Sequence, residues 1–503
     1  MQVLYRGKSV TEDRGGSKDK SATHLLPAIA LDSCGGAQAF SRTHFPQIRP
    51  ALNRPSTRPL LLAAILAVGG IVVGWFLVAA ESAVVESHLM GFPNAHVATH
   101  SLRPTVLAMM CGLPALVVLC YSFGGTLDRY MARQFGGIFG ITIGALVLIW
   151  MLIDVNDNLS DFRDSEHMIA TMVQFYLARS PSIILTLLPY SLLLALIYTL
   201  GKLSKDREII AMIQSGRGVL RVTLPLIIAG LFATLFCTGL NYHWAPVSEG
   251  SRDAILKRAR GLPVVEAYNV LYYNATERRL WMIGIFPERY ERGEPLMDVE
   301  ITNIHPDHSV ESRLSAHRAF WDRETRIWSF EGAVIAHFEP GQPPEFEGFA
   351  EPLERDDLEE SPFQLIRPGL RPAHLGIPSL TGWLVHHQSP HPSHSPASYL
   401  TQWHYRWALP FTCLVTVLLA TPLSIHFSRR GPGGGVFLAV VLSALLLVLS
   451  SVTLALGESE IVHPAFAAWL PNIIFSVIGL YLYQRRIAGR PIHQTLRRLL
   501  PNP

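Results

Sequence analysis

Charge is scarce in this chain. Only 16% of its 503 residues are Asp, Glu, Lys or Arg, where a soluble domain carries roughly 25%. That shortfall argues against a wholly soluble enzyme, and 49% apolar residues argue against a disordered chain. Cysteine is scarce too. The five are Cys34, Cys111, Cys120, Cys237 and Cys413, with none between residues 245 and 400, so no disulfide framework is expected. The chain has no Walker A phosphate loop, no HExxH zinc helix and no nucleophile elbow. Any ATP-driven step therefore needs another polypeptide to hydrolyse the nucleotide, and no cofactor or metal is expected. The net charge of +3 is too small to suggest a nucleic-acid partner.

Long apolar runs dominate what is present. A bilayer core of about 30 Å needs about 20 mostly apolar residues as a helix. Candidate spans lie at roughly 59–80, 105–122, 135–153, 181–201, 219–240, 406–426, 436–456 and 467–484. The run at 105–122 is short, and 181–201 contains Pro189. Lys and Arg sort to alternate loops. Arg49, Arg54 and Arg58 precede the first run, and Arg129 and Arg133 precede the third. Lys202, Lys205, Arg207, Arg217 and Arg221 divide the fourth from the fifth, Arg429 and Arg430 the sixth from the seventh, and Arg485, Arg486, Arg490, Arg497 and Arg498 follow the eighth. By the positive-inside rule, eight spans with both ends in the cytoplasm produce this alternation. Residues 1–57 read as a disordered cytoplasmic tail, 58–126 as two spans, and 487–503 as a basic cytoplasmic tail.

Residues 245–402 form the one long hydrophilic stretch, on the outer side by the same rule. Asn269–Tyr273, Arg279–Phe286, Met297–Ile304, Arg313–Trp321 and Arg326–Phe338 are β-rich runs, with turn signals at 274–277 and 322–325. Trp281 and Trp328 follow those turns at a similar offset, which predicts that both face the interior. An antiparallel sandwich or jelly roll is the expected closure. The acidic run Glu351–Glu360 reads as a solvated loop, and His386, His387, His391 and His394 as a linker rather than a zinc site.

Between the fourth and fifth runs, residues 203–216 read as a short helix. Ser204 can cap it, Asp206 suits its positive end and Gly216 can end it. Ile209, Met212 and Ile213 share a face, with Arg207 and Glu208 in the first turn. The residues leave two readings open: a helix lying on the membrane surface, or one docking into a partner's groove.

Several motifs occur in a specific order. They are Arg129-Tyr130 before a span; Leu203-Ser204, Glu208-Ile-Ile-Ala-Met212 and Ser215-Gly216; Arg406-Trp-Ala-Leu-Pro410, Ala420-Thr-Pro422 and Arg429-Arg-Gly431; then Gly457-Glu458, Pro464 and Ala468-Trp-Leu-Pro-Asn472, leading to Gly479. This ordered set, over about 127–486, resembles the LptF/LptG (YjgP/YjgQ-type) lipopolysaccharide-export permeases. The resemblance implies an α-helical polytopic membrane protein with a six-span core, 127–244 and 403–486, an inserted periplasmic antiparallel β-jelly roll, and two extra N-terminal spans. It implies an inner-membrane subunit that works with a paralogous permease subunit, an LptB-type ATPase dimer, and periplasmic bridge and single-span jelly-roll proteins. The substrate would be lipopolysaccharide. It also favours docking for the short helix, with Arg207, Glu208, Ile209, Met212, Ile213 and Gly216 coupling to the ATPase.

The chain departs from the family at Gly218, where Ser is frequent, and near Gln402, where Glu is common. The stretch Asp157–Asp161 is acidic where some members carry lysines, with Arg163 nearby. Asp157, Arg163 and Arg406 are the candidate lipid contacts. The alternatives are a permease for another lipid or lipoprotein, and a membrane-anchored periplasmic enzyme. The second lacks a convergent acid, base or nucleophile set in 245–400.

Overall fold

The computed structural model describes residues 57–89, 97–163, 167–261, 264–274, 277–290, 293–322, 324–339, 341–366, 369–386, 396–425 and 433–488. The expectations for residues 1–56, for His387, His391 and His394, for Arg429 and Arg430, and for the tail from 489 lie outside the described residues.

The first helices are α1 (Thr57–Leu89), α2 (Val97–Phe123), α3 (Thr126–Asp157), α4 (Leu159–Arg163), α5 (Met168–Lys205), α6 (Glu208–Gln214), α7 (Val219–Tyr242) and α8 (Trp244–Ala259). A β-domain follows, made of β1 (Val265–Asn274), β2 (Arg279–Pro287), β3 (Leu296–Ile304), β4 (Val310–Trp321), β5 (Trp328–Glu331), β6 (Val334–His337), β7 (Glu345–Gly348) and β8 (Leu353–Arg355). After it come α9 (Pro362–Leu365), α10 (Ile377–His386), α11 (Pro396–Ala408), α12 (Phe411–Ser424), α13 (Gly433–Glu458) and α14 (Pro464–Ile487).

Among the described residues, seven helices are long and apolar enough to cross a membrane: α1, α2, α3, α5, α7, α13 and α14. The eighth expected span is not one straight helix. α11 and α12 form a pair bent by 50°. The cause is Pro410, which removes a backbone donor and disfavours helical geometry at Leu409. The carbonyl of Ala408 at the break accepts a hydrogen bond from Asn472 Nδ2 at 2.7 Å. The short run at 105–122 is the apolar part of a longer helix, because α2 begins at Val97 and carries His100 and Arg103 in its first turns.

The added hairpin α1–α2 is held by small residues. A Cβ on Gly70 would lie 2.6 Å from the carbonyl oxygen of Cys111, the close backbone approach that small residues permit between membrane helices. α2 in turn rests on α7. The Tyr242 hydroxyl donates to the Thr99 carbonyl at 2.8 Å, and Met110 covers Gly239.

The β-domain begins later than residue 245, because α8 precedes it. β1 to β4 form an antiparallel meander. β4 then forks: its later half pairs with β5, which pairs with β8, and its earlier half pairs with β6, which pairs with β7. The expected strand 326–338 is two strands, since Gly332 turns the chain between them at φ +67°. Register aligns Tyr272, Trp281, Ile301, Leu314 and Ile335 in one row across five strands. Alternation along each strand puts Trp281, Ile283, Val299 and Ile301 on the core face. Trp281 and Trp328 are both fully buried, with ring centroids 5.2 Å apart.

The acidic run 351–360 is not simply a solvated loop. Leu353–Arg355 forms β8, and Glu360 is buried. Glu360 accepts from Arg279 Nη1 at 2.9 Å and from Asn274 Nδ2 at 2.8 Å, while its carbonyl accepts from Trp328 Nε1 at 2.7 Å. Nearby, two Arg355 nitrogens, each 2.6 Å from an oxygen of Asp357, hold that carboxyl below its usual pKa.

Candidate coupling site and lipid path

The segment expected as one capped helix is a break followed by a shorter one. α5 stays helical through Lys205 because Leu203 belongs to the membrane core. Arg207 then takes a left-handed conformation, φ +60°, and α6 starts at Glu208. Ser204 is therefore not a cap. Gly216, at φ +88°, follows α6 as expected for a residue in left-handed geometry.

The apolar face of α6 has an occupant already. Ile209 and Met212 are buried in the chain's own membrane core, and Ile213 packs against it. Ile209 and Met212 are therefore not free to enter a partner's groove, while Ile213 stays half-exposed. What α6 and its flanks present outward is Lys205, Asp206, Arg207, Ala211, Gln214 and Ser215. Glu208 is tied inward: the Tyr130 hydroxyl of α3 donates to its Oε2 at 2.7 Å. Beside this contact, Arg221 Nη2 of α7 donates to Asp128 Oδ2 of α3 at 2.7 Å. The short helix is thus joined to the first helix of the expected six-span core.

That helix is unusual along its length. From Gly136 to Asp157 no residue of α3 is buried. It borders a cavity of ≈1220 Å³ shared with α2, α5 and α7, lined by such residues as Phe135, Phe139, Leu188, Phe232 and Phe236. The lining is apolar along its middle. Asp128, Arg129 and Arg221 lie toward the α6 end, and Trp150 and Tyr176 toward the sheet end.

The sheet end of α3 carries a second set of polar ties, which the sequence reading missed. Asp154 accepts from Arg179 Nη1 and from the Tyr176 hydroxyl, each at 3.0 Å. Arg179 Nη2 lies 3.5 Å from Glu249, and its guanidinium sits over the Trp150 ring, 5.1 Å from the centroid. Arg252 Nη2 donates to Asn158 Oδ1 at 3.2 Å, and Arg260 pairs with Asp161. The stretch 157–161 is acidic in sequence but is met in space by Arg252 of α8 and by Arg260 just after it. The available signal was Arg179 itself, an ionisable residue at the edge of an apolar run. Asp157 and Arg163 are both exposed at this end.

Arg406 does not face lipid. It is 7% exposed. It donates from Nη1 to Asn241 Oδ1 and from Nε to the Leu375 carbonyl, both at 3.3 Å, and from Nη2 to the Ala373 carbonyl. Asn241 Nδ2 returns a bond to the Arg406 carbonyl at 2.6 Å. The lipid-contact expectation for Arg406 does not fit this geometry; the residue fixes α11 to α7 beside the break. Gln402 likewise bonds Glu458 at 2.6 Å, joining α11 to the end of α13.

Membrane-crossing helices, one pair bent at a proline, together with an inserted antiparallel sheet define a multi-pass membrane protein. The family model of the lipopolysaccharide export system permease LptF/LptG matches residues 129–485, and the chain belongs to that family. α1 and α2 lie outside the matched segment. No curated protein matches the chain.

Proposed function

We propose that this chain is one permease subunit of an ATP-driven exporter that extracts lipopolysaccharide from the inner membrane. It pairs with a paralogous subunit and with a separate ATPase dimer. Both termini and α6 lie in the cytoplasm, and the sheet lies in the periplasm, where it hands lipid to a bridge and to single-span partners. Alternating basic loops support this orientation.

The observation that carries the reading is the state of α3. None of its residues from 136 to 157 is fully buried, it borders a long apolar cavity, and it is tied by polar contacts at both ends. Acyl chains lose about 0.8 kcal/mol per CH₂ exposed to water, so extraction needs a continuous apolar path with a movable wall. α3 is that wall. An ATPase pressing on the outward side of α6 moves Glu208, and Glu208 pulls on Tyr130. Gly136 and Gly144 line the cavity with open space around them, so no side chain narrows the path there.

The test is reconstitution of the chain with its second subunit and ATPase in proteoliposomes loaded with lipopolysaccharide. Lipid release should require ATP hydrolysis. Release that is absent with ATP, or equal without it, contradicts the proposal.

A further inference from the structure

The added hairpin and the β-domain meet around a second cavity of ≈800 Å³, whose walls come from separate parts of the chain. α2 contributes His100 and Arg103, α8 and the residue before it contribute Lys257 and His243, and the segment before α10 contributes Arg371 and His374. The acidic groups on the wall are Glu266 and Glu288. Glu288 is already held by Arg258.

Arg103 is the informative side chain. It is 3% exposed. Its Nη2 lies 2.5 Å from Glu81 Oε1, yet its Nε and Nη1 have no hydrogen-bond acceptor among the described residues. A guanidinium cannot shed its charge, and leaving its donors bare in a buried site is costly. Its planar fork matches two oxygens of a phosphate. The cavity is large enough for such a group, and Lys257 and Arg371 add positive charge to its wall. Its place between the membrane helices and β1 is where a lipid headgroup would sit while its chains remain in the bilayer.

We propose that this junction cavity binds the phosphate of a lipid headgroup, with Arg103 as its principal ligand. The proposal deepens the lipid-export reading and rests on it for the class of ligand. It also gives the added hairpin a role: α2 supplies the arginine, and the β-domain closes over it.

The test uses the purified full chain carrying a photo-crosslinking residue at Ser379, which lines the cavity. The chain is placed in nanodiscs of digalactosyl diacylglycerol, a matrix without phosphate, doped with bisphosphorylated lipid A or with phosphatidylglycerol. Phosphate lipid should be captured over the matrix lipid. Arg103→Gln should reduce capture roughly 10- to 100-fold. If that variant fails to fold because Glu81 is left uncompensated, the neutral pair Glu81→Gln/Arg103→Gln should show the same loss.

Preferential capture of lipid A assigns the site to transported lipid. Equal capture of phosphatidylglycerol assigns it to any phosphate-bearing lipid, and both outcomes support the site. Capture of the matrix lipid as strongly as either, or unchanged capture in the neutral-pair variant, overturns it. ATP-driven release measured on the reconstituted exporter separates the two readings. Release without capture removes the site and keeps the exporter; capture without release does the reverse.

Discussion

Tyr130 and Glu208 are 78 positions apart in sequence and 2.7 Å apart in space. A hydrogen bond to a charged group contributes about 1.5–3 kcal/mol. If this bond carries motion from α6 to α3, Tyr130→Phe and Glu208→Gln should each leave the chain inserted and the ATPase bound. Each should lower lipid release per ATP hydrolysed, and the double variant should be no worse than either single one. Additive losses in that double-mutant cycle would show that the two residues act separately. Glu360 belongs to stability rather than transport. Removing it leaves the buried Arg279 with only Asn303 at 3.3 Å and Asp357 at 4.0 Å, so Glu360→Ala should destabilise the β-domain by up to about 3–5 kcal/mol. Intrinsic Trp fluorescence during urea titration should report it, because Trp281 and Trp328 sit in the same core. An unchanged midpoint would mean that the pair is solvated.

Among the elements, the broken pair α11–α12 shows what the family motifs do physically. Arg406, Pro410, Gly457 and Asn472 were legible in sequence as an ordered pattern, without a reason. In space Arg406, Pro410 and Asn472 meet at one break, and Gly457 packs against α11 at Thr401 before it. Pro410 makes the break, Asn241 meets the Arg406 carbonyl that the proline leaves without a donor, Asn472 meets the Ala408 carbonyl, and the Arg406 guanidinium anchors the helix before it. A Cβ on Gly457 would lie 2.6 Å from that of Ala467 and 2.7 Å from Thr401 Cγ2. Gly457→Val should therefore push α13 away from α11 and α14, lowering the thermal midpoint of the detergent-solubilised chain. Ser459→Ala, whose hydroxyl reaches back only to the Ala455 and Leu456 carbonyls of α13, should not. Equal midpoints would show the crossing to be loose.

The α6 segment was read less well. Its apolar spacing was visible, but spacing does not say whose core buries the face. Here it is the chain's own. β7 and β8 were missed because they are short and rich in charge, and their pairing depends on partners far along the chain. Arg179 was missed because its acceptors come from α3 and α8.

For the whole molecule, the spans and the inserted sheet followed from hydropathy and alternation, which are local signals. The ties at the two ends of α3 could not follow from them, since each joins separate elements. Orientation is tested by single cysteines in a cysteine-free background. A cysteine at Ser309, in the exposed β3–β4 turn, should label with an impermeant reagent once the outer membrane alone is opened. One at Gln214 should need the inner membrane opened as well. The reverse pattern would invert the topology.

If α3 walls a lipid path opened by ATP hydrolysis, lipid must sit against it before hydrolysis and leave afterwards. A photo-crosslinking residue replaces Phe139, which lines the cavity, and another replaces Leu61, exposed on α1, in the complete exporter. Lipopolysaccharide should be captured at position 139 before ATP is added and lost after it, while any capture at position 61 stays constant. Capture at position 139 that is absent, or that ATP leaves unchanged, would contradict the account.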